Sequence, residues 1–125
     1  MRPTAEQRAE MTSFRERMAA VAPRVRVTRD AEGWPMVPGR LGQIEWGGDR
    51  ARLFVFTDRP RLIARLAAIA GVRHHQTGDR EARFWFPADD ADCLRVVCRV
   101  IRVRIRRPPT SGNLAALTAA RVRGQ

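Results

Sequence analysis

The chain reads as an α+β domain: a mostly antiparallel four-stranded sheet with packed helices, in the order α-β-β-β-α-β-α, plus a short helix in a C-terminal tail. Three observations predict it. Apolar residues recur at helical spacing in three segments, near the start, the middle and the end of the chain. Between them lie short runs rich in Val, Ile, Phe and Trp, bounded by Gly, Pro or Asp. The length of 125 residues and the apolar content of 44% suffice for one hydrophobic core and argue against global disorder.

Thr4 opens a capping box with Gln7, and Met11, Phe14, Met18 and Val21 then form one stripe, so a helix is predicted over residues 5–20, ended by Pro23. RVRVTRD (24–30) alternates as a strand, with Val25 and Val27 inward and Arg24, Arg26 and Thr28 outward. AEGWPMVPGR is expected to be a loop, because two prolines and two glycines oppose regular structure. Its apolar residues Trp34, Met36 and Val37 would fold over the core or offer a contact surface.

LGQIEW (41–46) and ARLFVFT (51–57) flank GGDR as a hairpin. The unbroken apolar run from Leu53 to Phe56 marks the second of these strands as central. Asp58 is the expected N-cap of a second helix, with Pro60 in its first turn, an apolar face of Leu62, Ile63, Leu66, Ile69 and Ala70, and Gly71 at its stop. RHHQTGD is expected to be a polar loop, and EARFWFP (81–87) a strand with Phe84 and Phe86 on one side and Trp85 on the other. A last helix is expected over residues 88–103, its acids at the positive end of the helix dipole. Pro108 and Pro109 set a boundary: residues 1–107 form the single domain, and 108–125 a linker and tail in which Leu114 and Leu117 suggest a short helix.

No apolar run approaches the roughly 20 residues of a membrane span. The stretch MRPTAEQRAEM carries acids where a signal peptide needs apolar residues, so a cytoplasmic protein without a membrane partner is expected. Cys93 and Cys98 lie five residues apart in one helical segment and cannot pair without unwinding it; they read as reduced core residues. Neither a zinc-finger spacing, a Walker loop, a GxGxxG run nor a Ser/His/Asp order is present, and no cofactor or metal is expected.

The informative feature is charge. All 24 basic residues are arginine, and the formal net charge is +11. Residues 1–92 hold 16 arginines against 13 acids, whereas residues 93–107 hold six against none, so more than half the excess comes from one short segment. On a helix, Arg95, Arg99, Arg102 and Arg106 of that segment fall within an arc of roughly 60°. Arg104 breaks the ridge; in an extended chain Arg102, Arg104 and Arg106 would share a face instead, followed by Arg107.

Such a row suits phosphates, and the expected function is a small nucleic-acid-binding accessory protein, DNA favoured over RNA, of a kind found in phages and mobile elements. Arg24 and Arg26 on the first strand, and His74, His75 and Gln76 in the polar loop, are further candidate contacts. The rival expectation is a protein-interaction module whose arginine face meets an acidic partner, or whose Trp34, Met36, Leu114 and Leu117 dock on a larger complex. The bland alternative pairs the arginines with Glu6, Glu10 and Glu16 of the first helix. Phe54, Phe56, Phe84, Trp85 and Phe86 would serve as stacking platforms only if one sheet face were open; with three helical segments to cover the sheet, core packing is expected.

The element order helix–strand–strand–strand–helix–strand is similar to that of the restriction-endonuclease-like nuclease core. That resemblance implies an Asp and a Glu-x-Lys on the second and third core strands, holding Mg²⁺. Glu45 would stand on one strand, but Leu53 to Phe56 fill the next and the chain has no Lys. A binding role without catalysis is therefore expected.

Overall fold

The computed structural model describes residues 2–48 and 50–104. Helix α1 (Ala5–Val21) begins where the capping box places it: Thr4 Oγ1 accepts from the Gln7 amide at 3.0 Å, and Gln7 Oε1 accepts from the Thr4 amide at 2.9 Å. Gln7 also donates through Nε2 to the Glu32 carbonyl at 2.8 Å, tying α1 to a distant turn. Met11, Phe14 and Met18 are buried along its inner stripe.

Six strands follow rather than four: β1 (Thr28–Arg29), β2 (Pro35–Pro38), β3 (Gln43–Trp46), β4 (Arg52–Thr57), β5 (Arg73–Thr77) and β6 (Ala82–Pro87). They form one antiparallel sheet in the order β1-β2-β3-β4-β6-β5. The predicted hairpin is β3–β4, and β4 is central as its apolar run implies. The predicted first strand shrinks to β1, although Val25 and Val27 still pack on the core.

Two segments expected to be loops are strands. In β2 the prolines occupy only the first and last positions, where a missing donor costs least, and Met36 and Val37 pair with Glu45 and Ile44 between them. The turn into β2 is built by Asp30, whose Oδ1 accepts from the Glu32 and Trp34 amides at 2.9 Å each, with Gly33 at φ 96°. β5 holds the polar residues His74, His75 and Gln76 and pairs with β6 through a bulge between His74 and Gln76. As an edge strand with every residue exposed, it needs no apolar alternation.

Helix α2 (Pro60–Ala67) is capped at Arg59, not Asp58, without a side-chain cap. The buried Thr57 takes that organising role, its Oγ1 donating to the Leu41 carbonyl at 2.7 Å and accepting from the Arg59 amide at 3.1 Å. Helix α3 (Ala91–Val100) is shorter than the predicted 88–103. Asp90 caps it by accepting from the Cys93 amide at 3.0 Å.

With β2 and β5 added, the order becomes α-β-β-β-β-α-β-β-α, and the similarity in element order to the nuclease core is not kept. Val37, Ile44, Leu53, Val55, Phe84 and Phe86 point to one side of the sheet and meet Phe14, Met18, Leu66, Leu94 and Val97 from the three helices. Cys93 and Cys98 are free and buried in this core, and burial pushes both thiols up to about 11. Among the described residues no helix is long and apolar enough to cross a membrane.

Candidate nucleic-acid interface

The arginine segment ends α3 in a specific way. The Val103 amide donates to the Cys98 carbonyl at 2.9 Å and the Arg102 amide to that of Arg99 at 3.2 Å, the pair of bonds that defines a Schellman turn. Arg102 sits at its left-handed position, φ 56°, where glycine is the usual residue. The turn is clamped from outside: the Leu41 amide donates to the Ile101 carbonyl at 3.0 Å, the Arg40 amide to that of Arg102 at 3.1 Å, and Gly39 bridges to Val103. Gly39 and Gly42 permit this approach, since a Cβ on Gly39 would meet Ile101 O at 2.6 Å and one on Gly42 would meet Phe56 O at 2.4 Å.

Ending the helix at Val100 leaves Arg102 beyond it, yet the three described members of the predicted ridge stay together. Arg95, Arg99 and Arg102 line one groove with Arg24, over an apolar floor of Val21, Val25, Cys98 and Val103. Among the described residues no carboxylate lines this groove. Arg95 pairs with Asp92 at 2.9 Å, an acid one residue upstream of the uninterrupted run; Asp92 is 94% exposed, so the pair contributes little and is open to exchange. Glu10, a suggested partner for these arginines, is engaged elsewhere. It accepts from Arg50 and from Trp46 Nε1, each at 3.0 Å, and the Arg50 hydrogen bond holds its carboxyl below the usual glutamate range.

Arg104 is exposed just past the clamp, while Arg106, Arg107, Leu114 and Leu117 lie outside the described residues. Arg26 is exposed but lines a separate hollow beside Arg15. His74, His75 and Gln76 lie on β5, at the opposite edge of the sheet from β1, and not in a loop. The His74 ring is hydrogen bonded to the Thr77 hydroxyl, and the His75 ring packs edge-on against Phe54 with centroids 5.0 Å apart. Trp34 is half-buried and stacked on Trp46 at 4.1 Å, which accounts for its apolar character without an external partner; Met36 is half-buried in β2.

The strand aromatics expected to pack in the core divide between the two sides of the sheet: Phe84 and Phe86 are buried under the helices. On the sheet side away from the helices, Phe54 is 6% exposed beneath Gly47, whereas Phe56 and Trp85 are half-buried. The Arg52 guanidinium carbon lies 5.5 Å from the Phe54 centroid and 5.4 Å from that of Trp85; Arg83 lies 5.6 Å from Phe56. Arg83 Nε donates to Glu45 at 2.9 Å, and Gln43 Nε2 donates to the other oxygen of that carboxylate at 2.9 Å. Period-two alternation was the available signal: Arg52 and Arg83 share parity with the aromatics of their own strands that face away from the core. Glu45 is thus held by an arginine and an amide, and among the described residues no three His, Cys, Asp or Glu side chains are grouped to hold a metal ion.

The chain matches no family model, and it is significantly similar to no curated protein and to no solved structure.

Proposed function

We propose that the protein binds nucleic acid, contacting backbone phosphates through the groove between the C-terminal ends of α1 and α3. The observation that carries this reading is the convergence of Arg24, Arg95, Arg99 and Arg102 on a groove with no carboxylate among the described residues of its lining. Four arginines lining one groove repel one another, and a fold in need of solubility alone would intersperse acids among them. Guanidinium is the side-chain group best matched to phosphate, which it grips bidentately. Arg104 is exposed one residue beyond Val103, which lines the groove.

The test is a salt series with single- and double-stranded DNA and RNA. Affinity for duplex DNA should fall with a log–log slope of about −0.9 per phosphate neutralised. The double variant Arg99→Glu/Arg102→Glu should bind every sequence more weakly and flatten that slope by about 2 if each arginine meets one phosphate. An unchanged titration, in a variant whose unfolding midpoint shows it to be folded, defeats the proposal. A clean wild-type protein that ignores all probes at low salt redirects the same surface to an acidic partner protein.

A further inference from the structure

All three helices pack against the Val37–Ile44–Val55–Phe84 side of the sheet, and no described helix covers the other side. A sheet face meant for a second apolar layer carries aliphatic residues without central charges. This one carries half-buried Phe56 and Trp85 with guanidiniums laid beside their rings, Arg83 at 5.6 Å and Arg52 at 5.4 Å. The acid on its described strands, Glu45, is already committed to Arg83. In the next strand, Arg73 stands beside Trp85 on the exposed edge. On the described strands of this face three arginines, Arg52, Arg73 and Arg83, thus stand against one acid, so excess positive charge and planar groups occur together there.

Those two properties together match one ligand. Unpaired bases stack on aromatic rings and on guanidinium planes, while the linking phosphates seek positive charge. A cleft of about 500 Å³ at one end of the face, where the carboxylates of Asp30, Glu32 and Glu45 join Arg52, Phe54 and Arg83 in the lining, lies within the size range of small-ligand sites and admits a base, whose amino groups can donate to those acids, rather than a phosphate. A duplex hides its base faces in the stack and cannot use such a surface. We infer that the uncovered sheet face is a stacking platform for single-stranded nucleic acid, with bases over Phe56, Trp85 and their paired arginines, and the backbone passing Arg73 at the β5 edge. This inference rests on the proposed nucleic-acid function and adds its preference: single strands over duplex.

The experiment uses the full chain, a fluorescent oligothymidylate of about 15 nucleotides, near the upper end of one module's footprint, the matching oligouridylate, and a duplex of the same length. Trp85→Leu should weaken binding to both single strands by about 5- to 100-fold and leave duplex affinity and the salt slope unchanged. Trp85→Phe should retain most of the affinity, because the ring is kept. Phe56→Leu, a volume-sparing change on the neighbouring strand, should repeat the loss and guards against a folding defect at Trp85. If both leucine variants bind single strands as the wild type does, while Arg99→Glu/Arg102→Glu still binds less, the platform is wrong and the phosphate groove stands. If the wild type binds no probe at low salt, both fail. A dimer in sedimentation that Trp85→Leu dissociates would assign the face to a second copy of the chain and overturn the inference.

Discussion

At Arg102 an L-residue holds the left-handed backbone, φ 56°, that ends α3. That conformation costs an L-residue roughly 1–2 kcal/mol, whereas glycine adopts it freely and gives back only about 0.5–1 kcal/mol through its looser unfolded chain. Arg102→Gly should therefore raise unfolding stability by about 0.5–1 kcal/mol in a denaturant titration and, at the same time, weaken nucleic-acid binding, since one of four groove arginines is lost. A substitution that stabilises the fold and impairs binding would identify Arg102 as a side chain kept for its charge. Equal or lower stability with unchanged binding would make it an ordinary turn residue. Part of this residue-level picture was legible in advance: helical periodicity put Arg95, Arg99 and Arg102 on one side. Their convergence with Arg24 was not, because it depends on how the chain after α1 lies beside the end of α3.

Elements with a strong local signal are the ones the sequence announces. Thr4 and Gln7 cap α1, the Leu53–Phe56 run makes β4 central, and Phe84 and Phe86 face opposite to Trp85 on β6. The two unforeseen strands lack such a signal, for different reasons. β2 is framed by Pro35 and Pro38 and exists because β1 and β3 pair with it, so tertiary context overrides local preference. β5 is polar throughout because an edge strand leaves its side chains in water. The clamp on α3 was equally hidden, since it joins residues about sixty positions apart through backbone bonds alone. Its steric demand gives a direct test. Gly42→Ala would drive a Cβ to 2.4 Å from the Phe56 carbonyl and 3.1 Å from Ile101 Cγ2, and should destabilise the protein by about 1–3 kcal/mol. Gly48→Ala offers a contrast of another kind: its Cβ meets nothing closer than 3.9 Å, so its cost comes from the positive φ of 82° alone. Circular-dichroism melts of the two variants separate crowding from strain. A Gly42→Ala protein as stable as the wild type would mean that the turn does not hold the end of α3.

For the whole molecule, charge and fold pull in opposite directions. A net charge of +11 on 125 residues opposes compaction by self-repulsion, and that repulsion is screened as the Debye length shrinks from about 10 Å at 0.1 M salt to about 3 Å at 1 M. Among the described residues, the Arg59–Asp58 and Arg95–Asp92 pairs are exposed on both sides and Arg50–Glu10 on one, so these pairs offset little of it. The free protein should accordingly become more stable as salt rises. A bound polyanion stabilises the folded state by RT ln(1 + [L]/Kd), and its Kd worsens steeply with salt as released counterions lose their advantage. The same salt that strengthens the free protein should thus erase the gain from ligand. Thermal melts between about 0.05 and 0.5 M NaCl, with and without saturating oligonucleotide, should show two curves that converge from opposite slopes. A free-protein midpoint flat across the series would show the excess charge to be neutralised within the fold. Parallel curves would show that whatever the oligonucleotide contacts, it is not the arginines.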